Sequence, residues 1–196
     1  MNSSIPYVED PRSDTGVTNG AVGIALFLAS ELMFFGALVA SYTLLRISAP
    51  AWAIHLGSQT AEVIAATLLL LAASASISLA IKGSSAHSMN AWLLSGAALL
   101  AAAFLVVKCR DVTMLWQSGL LPSTSTAAGL FYAFTGLHAL HVAGGGLWAL
   151  FLAVAKVSGR AGRPPGSTKR RGRLLLAYWT FVDLVWVLIL GLFYLS

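Results

Sequence analysis

A chain of 196 residues that is 58% hydrophobic and only 10% charged lies far from the roughly 25% charged fraction of soluble domains, which excludes water as its main solvent. Its net charge of +5 does not point to nucleic acid, because the basic residues concentrate in one loop between apolar stretches. The single Cys109 excludes an intrachain disulfide, and without a CxxC or a Cys/His cluster it argues against a thiol-ligated metal.

A hydrocarbon core about 30 Å thick needs roughly 20 apolar residues per helical span. Five stretches meet that need: 20–45, 59–81, 91–107, 127–155 and 174–195. They predict an all-α integral membrane bundle of five transmembrane helices over 20–196, preceded by a cytoplasmic segment, 1–19. The alternating ten-residue segments of a closed barrel are missing from the sequence. Glu9, Asp10 and Asp14 against one Arg12 resemble neither a secretory nor a transit leader, so the first span is expected to remain as an anchor.

Within that first span Glu31 sits about halfway, and Phe34, Phe35, Leu38, Tyr42 and Arg46 follow at helical spacing. The resulting stripe runs from a mid-depth carboxyl, past aromatic rings, to a phenol and guanidinium at one interface. Glu62 opens the second span, close enough to the interface for hydration. Asp111, beside Arg110 in the loop after the third span, reads as an exposed or lightly paired charge.

The fourth span carries His138 and His141, three residues apart on neighbouring points of one face, with Gly136, Ala139, Ala143 and Gly146 opposite, where a second backbone could approach closely. Two histidines one turn apart on one helix cannot grip opposite faces of a porphyrin, and with Glu31 they fall several carboxylates short of a di-metal site. His55 and His87 read as loop residues. The basic loop 156–173, with Lys156, Arg160, Arg163, Lys169, Arg170, Arg171, Arg173 and no acidic residue, is cytoplasmic by the positive-inside rule. Adding Arg12 and Lys82 sets nine basic residues against Arg46, Lys108 and Arg110, hence N-terminus inside and C-terminus outside. In the last span Asp183 is flanked on one face by Trp179 and Trp186, whose indole N–H groups are potential donors; a network with Thr180, Tyr178 or a histidine of the fourth helix is expected. An ionisable group at mid-span costs roughly 2.5–3.5 kcal/mol on insertion scales, so Glu31, His138, His141 and Asp183 each need a reason to be there.

Three stretches, Phe27 to Phe35 with Tyr42 and Arg46, Phe131 to Val142, and Ala177 to Trp186, resemble in order the Ser-Glu-x-x-Phe-Phe, Thr-Gly-x-His-x-x-His-Val and Tyr-Trp-x-Phe-Val-Asp-x-x-Trp helices of subunit III of cytochrome c oxidase and related heme-copper oxidases. Thr180 replaces a common His, and Asp111-Val112 a Glu-aromatic pair. Seven-helix members carry two further N-terminal helices. The resemblance implies a non-catalytic subunit of a proton-translocating terminal oxidase of aerobic respiration and its electron transport chain. It implies no cofactor in this chain, heme and copper in subunits I and II as partners, bound phospholipid, and a bacterial cell (inner) membrane location, with membership of a larger respiratory supercomplex also open. Glu31, Tyr42, Arg46, His138, His141, Trp179, Asp183 and Trp186 become lipid-cleft or polar-network candidates, with no catalytic and no metal-binding residue. The competing readings are a subunit-III-like partner of nitric oxide reductase, a small proton or solute transporter, and a metal-dependent membrane enzyme. The electron donor, cytochrome c or quinol, is a property of other subunits.

Overall fold

The computed structural model describes residues 19–48, 60–82, 90–159 and 167–194. Outside these ranges lie the acidic N-terminal segment, His55, His87, Arg160, Arg163, Pro164, Pro165 and Gly166. Among the described residues five α-helices follow one another: α1 Asn19–Ser48, α2 Thr60–Lys82, α3 Ala91–Gln117, α4 Thr126–Val157 and α5 Ser167–Ile189, the last running on into a π-helical turn, Leu190–Tyr194. Each is long and apolar enough to cross a membrane. The chain is a multi-pass membrane protein.

Local chemistry sets the ends. Asn90 caps α3 by accepting from the Trp92 N–H, and Ser125 caps α4 by accepting from Ala128. At the C-terminus of α3, Gly119 adopts φ 87°, its N–H reaches the Trp116 carbonyl and that of Leu120 reaches Leu115, a Schellman closure that favours glycine in the left-handed position.

Two boundaries differ from the hydropathy reading. α3 continues ten residues beyond 107, because Lys108 and Asp111 interrupt the apolar run without interrupting the helix: they stand one turn apart, pair with each other and are buried, at 3% and 1% exposure. Asp111 is therefore a helical core residue and not an exposed loop charge. The basic stretch 156–173 is likewise only partly loop, since Lys156 lies in the last turn of α4 and α5 begins at Ser167. A helix entering interfacial water turns polar before it ends, so hydropathy marks the lipid boundary and not the helix boundary.

α2 packs on α3, α3 on α4, α4 on α5 and α5 back on α2, closing a four-helix ring, while α1 leans on α4 and α5. Two of the closest approaches sit at consecutive glycines. A Cβ at Gly145 would lie 2.7 Å from Trp179 Cζ3, and one at Gly146 would lie 3.0 Å from the Ala101 Cβ. Of the expected small-residue stripe Gly146 makes such a contact, whereas Gly136 has open space around it. The outward surface is apolar, with Leu26, Met33, Leu44 and Ile47 of α1 all well exposed; in lipid that is the solvated state and needs no partner to explain it.

Candidate functional site: polar ties inside the membrane bundle

Glu31 and His141 meet. The Oε2 of Glu31 on α1 lies 3.1 Å from Nε2 of His141 on α4, with side chains 20% and 13% exposed. The other ring nitrogen, Nδ1, is 2.8 Å from the Leu137 carbonyl one turn back. Aromatic rings surround the imidazole: Phe35 at 5.6 Å and Phe181 at 6.2 Å edge-on, and Tyr178 stacked at 6.4 Å. Tyr178 also donates its hydroxyl to the His141 carbonyl at 2.8 Å, which joins α5 to the same point.

His138 goes elsewhere. A three-residue step turns a side chain by roughly 60° around the helix, enough to carry it from the α1 side to the α3 side. There it is 1% exposed, stacked on Trp186 at 5.4 Å and edge-on to Phe104 at 5.7 Å. Neither ring nitrogen has a hydrogen-bond partner, so His138 behaves as an aromatic filler. The expectation that both histidines share one face is corrected accordingly.

Asp183 is tied to α2. It accepts from Ser74, and three residues on, the Trp186 indole N–H donates to Thr67 Oγ1 at 3.0 Å. Thr67 and Ser74 stand seven residues apart on α2, so two successive α5 residues on one face meet two rungs of the facing helix. The expected partners are replaced: Thr180 turns outward onto its own Leu176 carbonyl, Tyr178 serves His141, and the Trp179 indole N–H is without a hydrogen-bond partner.

Tyr42 and Arg46 build a tie at the other end of α1. The buried Tyr42 hydroxyl donates to the Leu192 carbonyl at 2.6 Å and accepts from Arg46 Nη1 at 3.0 Å. Its ring meets Phe193 at 5.1 Å. Leu192 and Phe193 belong to the π-helical turn that follows α5. Tyr194, the last residue of that turn, accepts from Lys108 Nζ at 3.0 Å, and the same ammonium lies 5.4 Å from the Trp186 ring centre. Hydropathy does not reveal the Lys108, Asp111 and Tyr194 cluster, because the two charges end the apolar run and read as loop. The i, i+3 spacing of opposite charges was the available signal.

Among the described residues no three His, Cys, Asp or Glu side chains converge as metal ligands. The charged groups instead tie helices together, α1 to α4, α2 to α5, and both α1 and α3 to the π turn.

Comparison with known proteins supplies the context. No family model matches the chain. It is 30% identical to subunit 3 of the cytochrome bo(3) ubiquinol oxidase of Pseudomonas aeruginosa over 97% of its own length and 91% of that protein. The chain belongs to the subunit III family of heme-copper oxidases. Subunit 3 of cytochrome c oxidase from Corynebacterium diphtheriae and from Thermostichus vulcanus is each 32% identical, covering 88% and 89% of this chain. The relatives of this subunit III thus include proteins named for a quinol donor and for cytochrome c. Three of its helices, α1, α4 and α5, carry the motifs that resemble the family, and they are the three that meet at Glu31, His141 and Tyr178.

Proposed function

We propose that this subunit III is a non-catalytic member of a proton-translocating terminal oxidase in a bacterial cell membrane, the inner one where there are two. It works beside a heme- and copper-bearing subunit I and a subunit II, with phospholipid filling its grooves. The observation that carries this reading is the way its intramembrane charges are used. Glu31, Asp183, Lys108 and Asp111 each bond to a side chain of the same bundle, which suits a scaffold and leaves the chemistry to its partners. A bundle of this kind, packed beside a proton-uptake surface, alters local hydration and dielectric without reacting. Its removal is expected to shorten the enzyme's working life over many turnovers more than its initial rate.

The orientation proposed is N-terminus inside and C-terminus outside. Because Lys108 is buried and paired with Asp111, its charge is spent within the bundle, leaving Arg46 and Arg110 as the basic residues of the outer side. That strengthens the charge asymmetry read under the positive-inside rule.

The test is purification of the complex in mild detergent, with partner identification and an optical spectrum. Copurification with an oxygen-reducing, copper-containing heme subunit is expected. A partner carrying heme b and non-heme iron, or proton or solute flux through the isolated chain in liposomes that Glu31→Gln abolishes, would overturn the proposal.

A further inference from the structure

The acidic residues of the chain sort by depth. Glu31, Asp111 and Asp183 lie inside the bundle, held by His141, Lys108 and Ser74. Glu62 opens α2, on the side of the membrane where α1 ends. The other three, Glu9, Asp10 and Asp14, precede α1. They share a side with the start of α5, because an even number of spans separates the two helix starts. That start is strongly basic: Lys169, Arg170, Arg171 and Arg173 fall within the first two turns of α5, with no acidic residue among them. Cations placed there repel one another and oppose the positive end of the helix dipole. Arg170, Arg171 and Arg173 are exposed and form no ion pair among the described residues.

Helix packing brings the two sets of charges together. Leu174 of α5 meets the first turn of α1, where a Cβ at Gly20 would lie 3.5 Å from its Cδ1. Arg170 and Arg171 stand one turn before Leu174 on the same face of α5, roughly 5–6 Å nearer the helix start. A chain spans at most roughly 3.3–3.6 Å per residue, so Asp14 has a reach of about 20 Å from Gly20, and Asp10 and Glu9 have more. We propose that the acidic segment carrying Glu9, Asp10 and Asp14 docks on the basic start of α5 as an electrostatic strap, tying α1 to α5 at the end opposite Tyr42.

The strap complements the ties already described for α1, the mid-span pair of Glu31 and His141 and the Tyr42 bond to the Leu192 carbonyl. Lipid gives helices no hydrophobic drive to associate, so a peripheral helix depends on packing and polar contacts. Anionic phospholipid headgroups are the competing occupant of the basic end. Two arguments favour the segment. It is joined to α1 a few residues from the site, which gives it a high effective concentration there. A negatively charged membrane surface also repels its three carboxylates, and the basic start of α5 is where that repulsion is cancelled.

The experiment uses the assembled complex in phospholipid vesicles, with Cys109→Ser, and with Ser13→Cys beside Asp14 and Thr168→Cys beside Lys169. The rate of disulfide formation between the two introduced thiols under a mild oxidant is measured in phosphatidylcholine and in a mixture of phosphatidylcholine with phosphatidylglycerol. Retention of the subunit in the complex is read alongside. The proposal expects ready crosslinking within the subunit in both lipids. Exposed ion pairs are individually weak, so Glu9→Gln, Asp10→Asn and Asp14→Asn together are expected to slow it by about tenfold while the subunit stays in the complex. High salt, which shortens the reach of exposed charges, is expected to act the same way. Glu62→Gln, on the opposite side, is expected to leave the rate unchanged. An undiminished rate in the neutralised variant, or an equal fall in Glu62→Gln, would overturn the proposal. So would crosslinking that is fast in phosphatidylcholine and lost with phosphatidylglycerol, the mark of headgroups occupying the basic end.

Discussion

Replacing Asp111 by Leu strands a buried ammonium. Lys108 is 3% exposed and Asp111 1%, and at an effective dielectric near 20 two unit charges about 4 Å apart attract by about 4 kcal/mol. Removing one member of a buried pair typically costs about 3–5 kcal/mol, because the survivor keeps its desolvation penalty. Part of that loss is offset here. The Lys108 ammonium retains its hydrogen bond to Tyr194 and lies 5.4 Å and 5.5 Å from the ring centres of Trp186 and Tyr194, contacts worth about 0.5–2 kcal/mol each when desolvated. The expected net cost of Asp111→Leu is about 3 kcal/mol. Adding Lys108→Met removes the stranded charge while keeping an unbranched apolar chain, and the double variant is expected to recover most of the loss. The assay is reversible unfolding in mixed micelles followed by tryptophan fluorescence, to which Trp186 beside the Lys108 ammonium contributes. If Asp111→Leu costs under about 1 kcal/mol, or the double variant is no more stable than the single, the pair is not the buried electrostatic unit described.

The same assay separates the remaining ties. Gly145→Ala forces Trp179 to move from a contact of 2.7 Å and is expected to cost about 1–3 kcal/mol, whereas Gly136→Ala, with open space around it, is expected to be neutral or slightly stabilising. His138→Leu removes two ring nitrogens that lack partners and should cost under about 1.5 kcal/mol as an apolar exchange; a larger loss would mean that His138 is hydrogen-bonded after all. Tyr42→Phe deletes the bond to the Leu192 carbonyl and the Arg46 contact, with an expected loss of about 1–2 kcal/mol, and hydrogen exchange should rise at the π turn before it rises in the α2 to α5 ring.

Sequence alone located the five spans because hydropathy over about 20 residues is a large signal, and it located Glu31, His141, Tyr42 and Asp183 because an ionisable or phenolic group inside a span stands out. It did not say which helix each would meet. Ser74 and Thr67 are hidden in α2 because serine and threonine are common in membrane helices, where they bond to their own carbonyls, as Ser76 does to Ala72. Only the register between α2 and α5 distinguishes Ser74 from Ser76. The split between His138 and His141 has the same origin: a 60° rotation sends neighbours on one face to two different interfaces once α1, α3 and α5 occupy fixed positions. Lys108 and Asp111 were misplaced for the opposite reason, since their charges are conspicuous in a hydropathy scan but cancel inside the fold.

These ties are unevenly shared, and that bears on how the subunit holds together. The ring of α2 to α5 has close backbone approach at Gly145 and Gly146, two α2 to α5 side-chain bonds and the Lys108 cluster. α1 instead leans on α4 and α5 through its aromatic residues, with a polar tie at Glu31 and another at Tyr42. Removing a tie within the ring therefore leaves several others along the same helix, whereas removing either tie of α1 leaves a long stretch of it dependent on ring contacts alone. Glu31→Leu and Tyr42→Phe should accordingly act more than additively on the docking of α1 when combined, and Tyr42→Phe joined to Gly145→Ala should add independently, whereas Glu31→Leu joined to Gly145→Ala should couple, because Tyr178 packs against both His141 and the Gly145 position. Simple additivity between the two α1 variants would place the stability of that helix in its apolar packing and not in its polar ends.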